Sequence, residues 1–116
     1  MSELDGFELF VPDAGRPLYI TTSEKTLRIC ADAYKALGCP DCVNIFFDEV
    51  KRRMMIKSAK KEYENTLNVT AHSSGRNMSI CCKSLARKAV EMYGKGVRVY
   101  GHVAGDGILI FDRVRE

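Results

Sequence analysis

The feature that most constrains this fold is a pattern of elements that occurs twice along the chain. Two apolar-alternating runs, Leu18–Thr22 and Leu27–Ala31, lead into a short amphipathic helix that stops at Leu37-Gly38. Two more alternating runs follow, Val43–Asp48 and Met54–Lys57. The order then recurs in Leu67–Thr70, Met78–Cys82, a helix over Lys83–Tyr93, Val97–Val103 and Ile108–Phe111. The firmest match between copies is Leu27-Arg28-Ile29-Cys30-Ala31 against Met78-Ser79-Ile80-Cys81-Cys82. Each copy reads strand–strand–helix–strand–strand, and four short strands alone leave open edges and one apolar face in water. Closing two copies on each other removes both problems. The sequence therefore predicts a mainly β chain with short helices (α+β), in which two tandem units bury their apolar faces together.

A chain of 116 residues suits one modest core and is too short for two independent ones. The predicted units are residues 18–58 and 66–113, joined by a polar linker over 59–65 that is partly helical and preceded by an N-terminal extension over 1–17. In that extension Phe7–Val11 makes a short strand and Pro12–Pro17 a turn cluster, with the apolar residues docking on the core. Phe46 falls on the outward face of its strand and calls for cover, with the extension as the candidate.

Hydrophobic content of 46% and charged content of 28% are those of a soluble globular protein. No run approaches the ~18 apolar residues of a membrane span. The acidic start, Met-Ser-Glu-Leu-Asp, lacks the layout of a signal peptide, so a cytoplasmic location is expected. In that compartment the five cysteines read as reduced thiols.

Local signals support the elements. Asp32 is placed to start the first helix, where a carboxylate suits the exposed N–H groups. Gly38 suits its C-terminal end and Pro40 prevents continuation. In the second helix Leu85, Ala86, Ala89, Val90 and Tyr93 share one face, and Gly94 ends it. Asp106-Gly107 signals a hairpin. That hairpin accounts for the glycines of Gly101–Gly107, which precede a strand and offer no helix N-terminus to a phosphate.

Catalytic and metal chemistry find little support. His72 and His102 are the only histidines, and neither has a nucleophile or carboxylate at a recognisable catalytic spacing. Cys39 and Cys42 have the spacing of a zinc half-site, and Cys81-Cys82 supply two more thiols, but adjacent residues in a strand point apart. Cys30 and Cys81 hold equivalent places in the two copies, as small buried fillers would. No enzyme activity, metal or cofactor is expected.

The order of elements, with Arg28-Ile29-Cys30-Ala31 entering a short helix, then Leu37-Gly38-Cys39-Pro40-Asp41, then VNIFFD and MMIK, resembles the AbrB/SpoVT family of swapped-hairpin DNA-binding domains. The resemblance covers about 90 of the 116 residues. It implies one swapped-hairpin, double-psi-like barrel, here completed within one chain as a monomeric pseudo-dimer. Departures are plain. Cys30 and Tyr34 stand where the family carries proline and arginine, and Tyr19 and Thr26 where close members often carry arginine.

By the resemblance, the turn and helix residues facing duplex DNA would be Lys25, Arg28 and Lys35 from the first copy. Arg76, Lys83, Arg87 and Lys88 would be their counterparts in the second. The net charge of +3 decides nothing by itself; distribution must. The densest basic run, Lys51, Arg52, Arg53, Lys57, Lys60 and Lys61, suits either phosphate contact or a solvated strand edge protected from aggregation. Two readings follow: a small DNA-binding transcriptional regulator, or a protein-interaction module on the same barrel without DNA binding.

Overall fold

A computed structural model describes residues 3, 6, 17–61, 63–71 and 77–115. Strand accounts for 48% and helix for 18%, so the chain is mainly β. The first half contains β1 (Leu18–Thr22), β2 (Leu27–Cys30), α1 (Ala31–Ala36), β3 (Cys42–Asp48) and β4 (Arg53–Ala59). The second contains β5 (Leu67–Asn68), β6 (Thr70–Ala71), β7 (Asn77–Ile80), α2 (Lys83–Tyr93), β8 (Arg98–Gly105) and β9 (Ile108–Arg115).

The strands hydrogen-bond in the order β5-β3-β4-β9-β8-β1-β2-β7-β6, and every pair is antiparallel. β5 and β6 stand at opposite ends of this order yet flank the single residue Val69, whose N–H donates to Asp41 O at 2.9 Å. One short segment therefore touches both ends of the sheet and bends it into a nearly closed antiparallel barrel. Its interior follows the period of two. Ile20, Leu27, Ile29, Val43, Met54, Ile56, Ile80, Val99, Leu109 and Phe111 are all buried.

Helix ends are fixed by local chemistry. Cys30, not Asp32, caps α1: its Sγ accepts from the Ala33 N–H at 3.4 Å, while Asp32 sits in the first turn. Gly38 ends α1 at φ 89°, a left-handed conformation that glycine adopts without Cβ strain. α2 has the predicted bounds and packs Leu85, Ala86, Ala89 and Tyr93 inward. The helices lie toward opposite ends of β4. Arg52, just before β4, donates to Met92 O of α2. Near its other end Ser58 receives Gly107, which also lies beside the Leu37 carbonyl that follows α1.

Several strands run longer than their apolar cores predict. β4 reaches Ala59 because Ala59 pairs with Cys42, and the Ser58 N–H donates to Gly107 O at 2.8 Å. The residues between β4 and β5 hold no helix among those described; a turn closed by Tyr63 N–H to Lys60 O at 2.9 Å stands there. Phe46 does face outward, 48% exposed, opposite Met55, which in turn faces Ile110. The predicted strand over 7–11 lies outside the described residues. Among the described residues no helix is long and apolar enough to cross a membrane.

Tyr93 ties α2 to the barrel. It is 6% exposed, and its hydroxyl donates to Phe111 O at 3.0 Å and reaches Arg52 O at 3.2 Å. Burial, with Asp112 adding to it, pushes its pKa up to about 12. Between the ordinary tyrosine value and about 12 the folded chain keeps a proton that the unfolded chain releases, so stability falls as pH rises through that window. Tyr93→Phe is expected to cost about 1–3 kcal/mol, because buried carbonyls lose their donor. It should also remove that alkaline slope. Urea denaturation of both proteins at pH 8 and pH 11 checks the pair of effects.

Candidate functional site

The most distinctive surface is the outer face of β2, β1, β8 and β9. Directly opposed residues on antiparallel strands project to the same side, with Cβ atoms about 5 Å apart. Thr21 is opposed by Arg28 on one side and Arg98 on the other. In the next row Tyr19 is opposed by Tyr100, and Tyr100 by Arg113. Since Ile20, Thr22 and Val99 are buried inside, both rows face outward. Three arginines and two tyrosines from both halves of the chain thus share one face.

Contacts between the rows hold the face in place. The Arg98 guanidinium carbon lies 4.6 Å from the Tyr19 ring centre, and the Tyr19 and Tyr100 rings lie 5.7 Å apart. A hydrogen bond with Tyr100, aided by Tyr19, raises the Arg98 pKa. The Tyr19 N–H donates to Cys30 Sγ at 3.3 Å, anchoring the strand beneath. Arg28, Arg98, Arg113 and Thr21 border two shallow clefts, one with Tyr19, Ile29 and Cys30 and one with Pro17, Tyr100 and Val114. No described residue lining either cleft is acidic. Among the described residues, no carboxylate pairs with Arg28, Arg98 or Arg113.

Of the seven residues suggested by the family resemblance, six are described, and of these Arg28 alone belongs to this face. Lys25 is exposed in the β1–β2 turn and Lys35 in the last turn of α1. Lys83 and Arg87 are exposed on α2. Lys88, also on α2, is engaged: its Nζ lies 2.5 Å from Glu49 Oε1 and 5.2 Å from the Phe47 ring centre. Arg76 lies outside the described residues. Lys35 and the α2 residues stand on helices at opposite ends of β4, so the six described residues do not share one strand face.

Much of the dense basic run has structural duties. Arg53 pairs with Asp48 at 2.8 Å, and that hydrogen bond, with a further one from the Lys51 N–H, lowers the Asp48 pKa. Arg52 supplies the Met92 contact, and its carbonyl meets Tyr93. Elsewhere Lys95 pairs with Glu24 at 2.5 Å and lowers its pKa. Such exposed pairs are screened by solvent and salt and contribute little to stability.

The thiols separate by environment. Cys30 and Cys42 are buried, Cys39 and Cys81 exposed. Cys42 donates to Ala59 O at 3.3 Å, while Cys39 sits at φ 54°. Among the described residues no group of three or more His, Cys, Asp or Glu side chains is arranged to hold a metal ion. Cys82, beside the start of α2, has its pKa lowered by a hydrogen bond with Ser84, and further by the Leu85 N–H. Because the thiolate is the nucleophile, iodoacetamide should label Cys82 ahead of Cys30 and Cys42. Its rate should rise at a pH below the ordinary thiol range, as mass spectrometry of timed samples would show.

Set beside known proteins, the chain matches no family model, no curated protein and no solved structure.

Proposed function

We propose that the protein is a small duplex-DNA-binding regulator whose barrel interleaves two copies of one unit, residues 18–58 and 66–113. The observation that carries the functional reading is the face of Arg28, Arg98, Arg113, Tyr19 and Tyr100, whose two clefts are lined by no acidic residue among those described. Arginine offers a planar fork of donors to phosphate oxygens, and phosphate contacts dominate affinity for nucleic acid. A mixed basic and aromatic surface suits that partner better than an acidic or purely apolar one.

The strand pairing supports the interleaved reading. Exchanging β1 with β5–β6, β2 with β7, β3 with β8 and β4 with β9 turns the set of pairs into itself. Under that exchange β2–β7 and β4–β9 pair with their own counterparts, as strands do across a two-fold axis. The resemblance to swapped-hairpin DNA-binding domains points the same way. Tyr19 stands where close members of that family often carry arginine, and here Arg98 of the other half brings a guanidinium over the Tyr19 ring. On this reading the chain is a monomeric pseudo-dimer of 13.0 kDa, and its role is binding and not catalysis.

A second reading has one observation in its favour. Phe46, Met55 and Ile110 form an outward apolar row across β3, β4 and β9, as a protein-interaction module would present.

Fluorescence anisotropy with a random duplex across a salt series separates the two. Affinity should fall steeply with salt, and Arg98→Ala with Arg113→Ala should flatten the logarithmic slope by about one unit per arginine. Arg76→Ala and Arg87→Ala test the turn and helix contribution in the same way. Folded protein with no duplex affinity at about 50 mM salt, where non-specific binding is strongest, would favour the interaction module.

A further inference from the structure

Within the basic face, we infer that the cleft between Arg28 and Arg98 is a discrete site for a single phosphate group. The inference deepens the proposed function, and rests on it only in naming a nucleic-acid phosphate as the occupant. The shared chemistry is that of a phosphate oxyanion, whether in a polynucleotide backbone or as a free phosphate.

The geometry is that of a clamp. Thr21 lies between the two arginines on adjacent strands, so their Cβ atoms stand about 10 Å apart, twice the cross-strand spacing. Side chains of arginine length can close that gap from both sides on one tetrahedral anion, with the Thr21 hydroxyl beneath as a further donor. The cleft is lined by Tyr19, Thr21, Arg28, Ile29, Cys30 and Arg98, and encloses about 250 Å³. That is roughly eight water volumes at about 30 Å³ each, enough for a phosphate and part of its hydration. Its position is independent of the turn and helix lysines.

The two arginines differ in how they are held. Arg98 is fixed before any ligand arrives, because its guanidinium stacks on Tyr19 at 4.6 Å and bonds Tyr100. Ordering a free arginine costs side-chain entropy on binding; stacking removes part of that cost. Arg28 is exposed and forms no ion pair with a described residue, so it is available to swing onto the anion. One fixed donor fork and one adaptable fork distinguish a site from a diffuse basic surface.

The test uses the full chain, with Arg and Thr21 amide signals followed by NMR. Inorganic phosphate is titrated at constant ionic strength against chloride, and a short duplex is added in a parallel series. A saturable shift at Arg28, Arg98, Thr21 and Tyr19 is expected. It should weaken about tenfold or more in Arg28→Ala and in Arg98→Ala, the loss expected for one charge-assisted hydrogen-bonding partner. Arg98→Lys keeps the charge and loses the fork, so it should weaken binding as well; Lys57→Ala, outside the cleft, should not. Phosphate saturation with competition from duplex supports both the site and the proposed function. Saturation without duplex binding supports the site for a free phosphate and defeats the duplex reading. Duplex binding with only linear phosphate shifts, unchanged in Arg28→Ala or Arg98→Lys, overturns the site and leaves the duplex reading in place.

Discussion

Among the described residues, 67–71 alone join both ends of the strand order: they pair with β3 through β5 and with β7 through β6. Every other strand in the order already has two neighbours. Without this segment β3 and β7 would each present an unpaired edge of N–H and C=O groups, a template for aggregation. Its cost is small because the segment needs only four paired residues and one bridging hydrogen bond at Val69. The barrel interior then becomes a single volume into which residues from all parts of the chain project. Phe111, Ile20, Met54 and Ile80 share it although they come from four different strands.

Closure also explains where the candidate surface comes from. β1 and β2 belong to the first half, β8 and β9 to the second, and the β1–β8 ladder joins them. Arg28 and Arg98 are 70 residues apart in sequence and become neighbours only through that ladder. The bulges in the β8–β9 pairing bend the same strands. At one of them Gly101 is required, since a Cβ there would stand 2.2 Å from Ile110 O. The face is therefore a product of the fold's topology, with rigid strands and an aromatic pair beneath the guanidinium groups.

How much of this was legible from the residues depended on how local each signal is. α2 was readable end to end because Leu85, Ala86, Ala89 and Tyr93 recur at helical spacing and Gly94 stops them. The strand cores were readable from alternation, but their ends were not. Arg53, Ser58, Ala59 and Asp112 carry no apolar pattern, and they are strand residues because a partner's backbone is there. Cys30 as a cap in place of Asp32 turns on the orientation of one sulfur. The candidate face was missed for the deeper reason that it is non-local. Its only trace is period-two spacing: Tyr19 with Thr21, and Arg98 with Tyr100, which puts each pair on the outward side of a strand. Nothing in the sequence says that those strands touch.

The two halves form one nearly closed barrel through ladders between them. Solution NMR reads those ladders directly, as cross-strand contacts between backbone protons. The account predicts contacts for Arg28 with Ser79, Thr21 with Arg98, Met55 with Ile110 and Cys42 with Asn68, all in one species. A spectrum with the β1–β2, β3–β4 and β8–β9 contacts intact but none of the four between halves would contradict it.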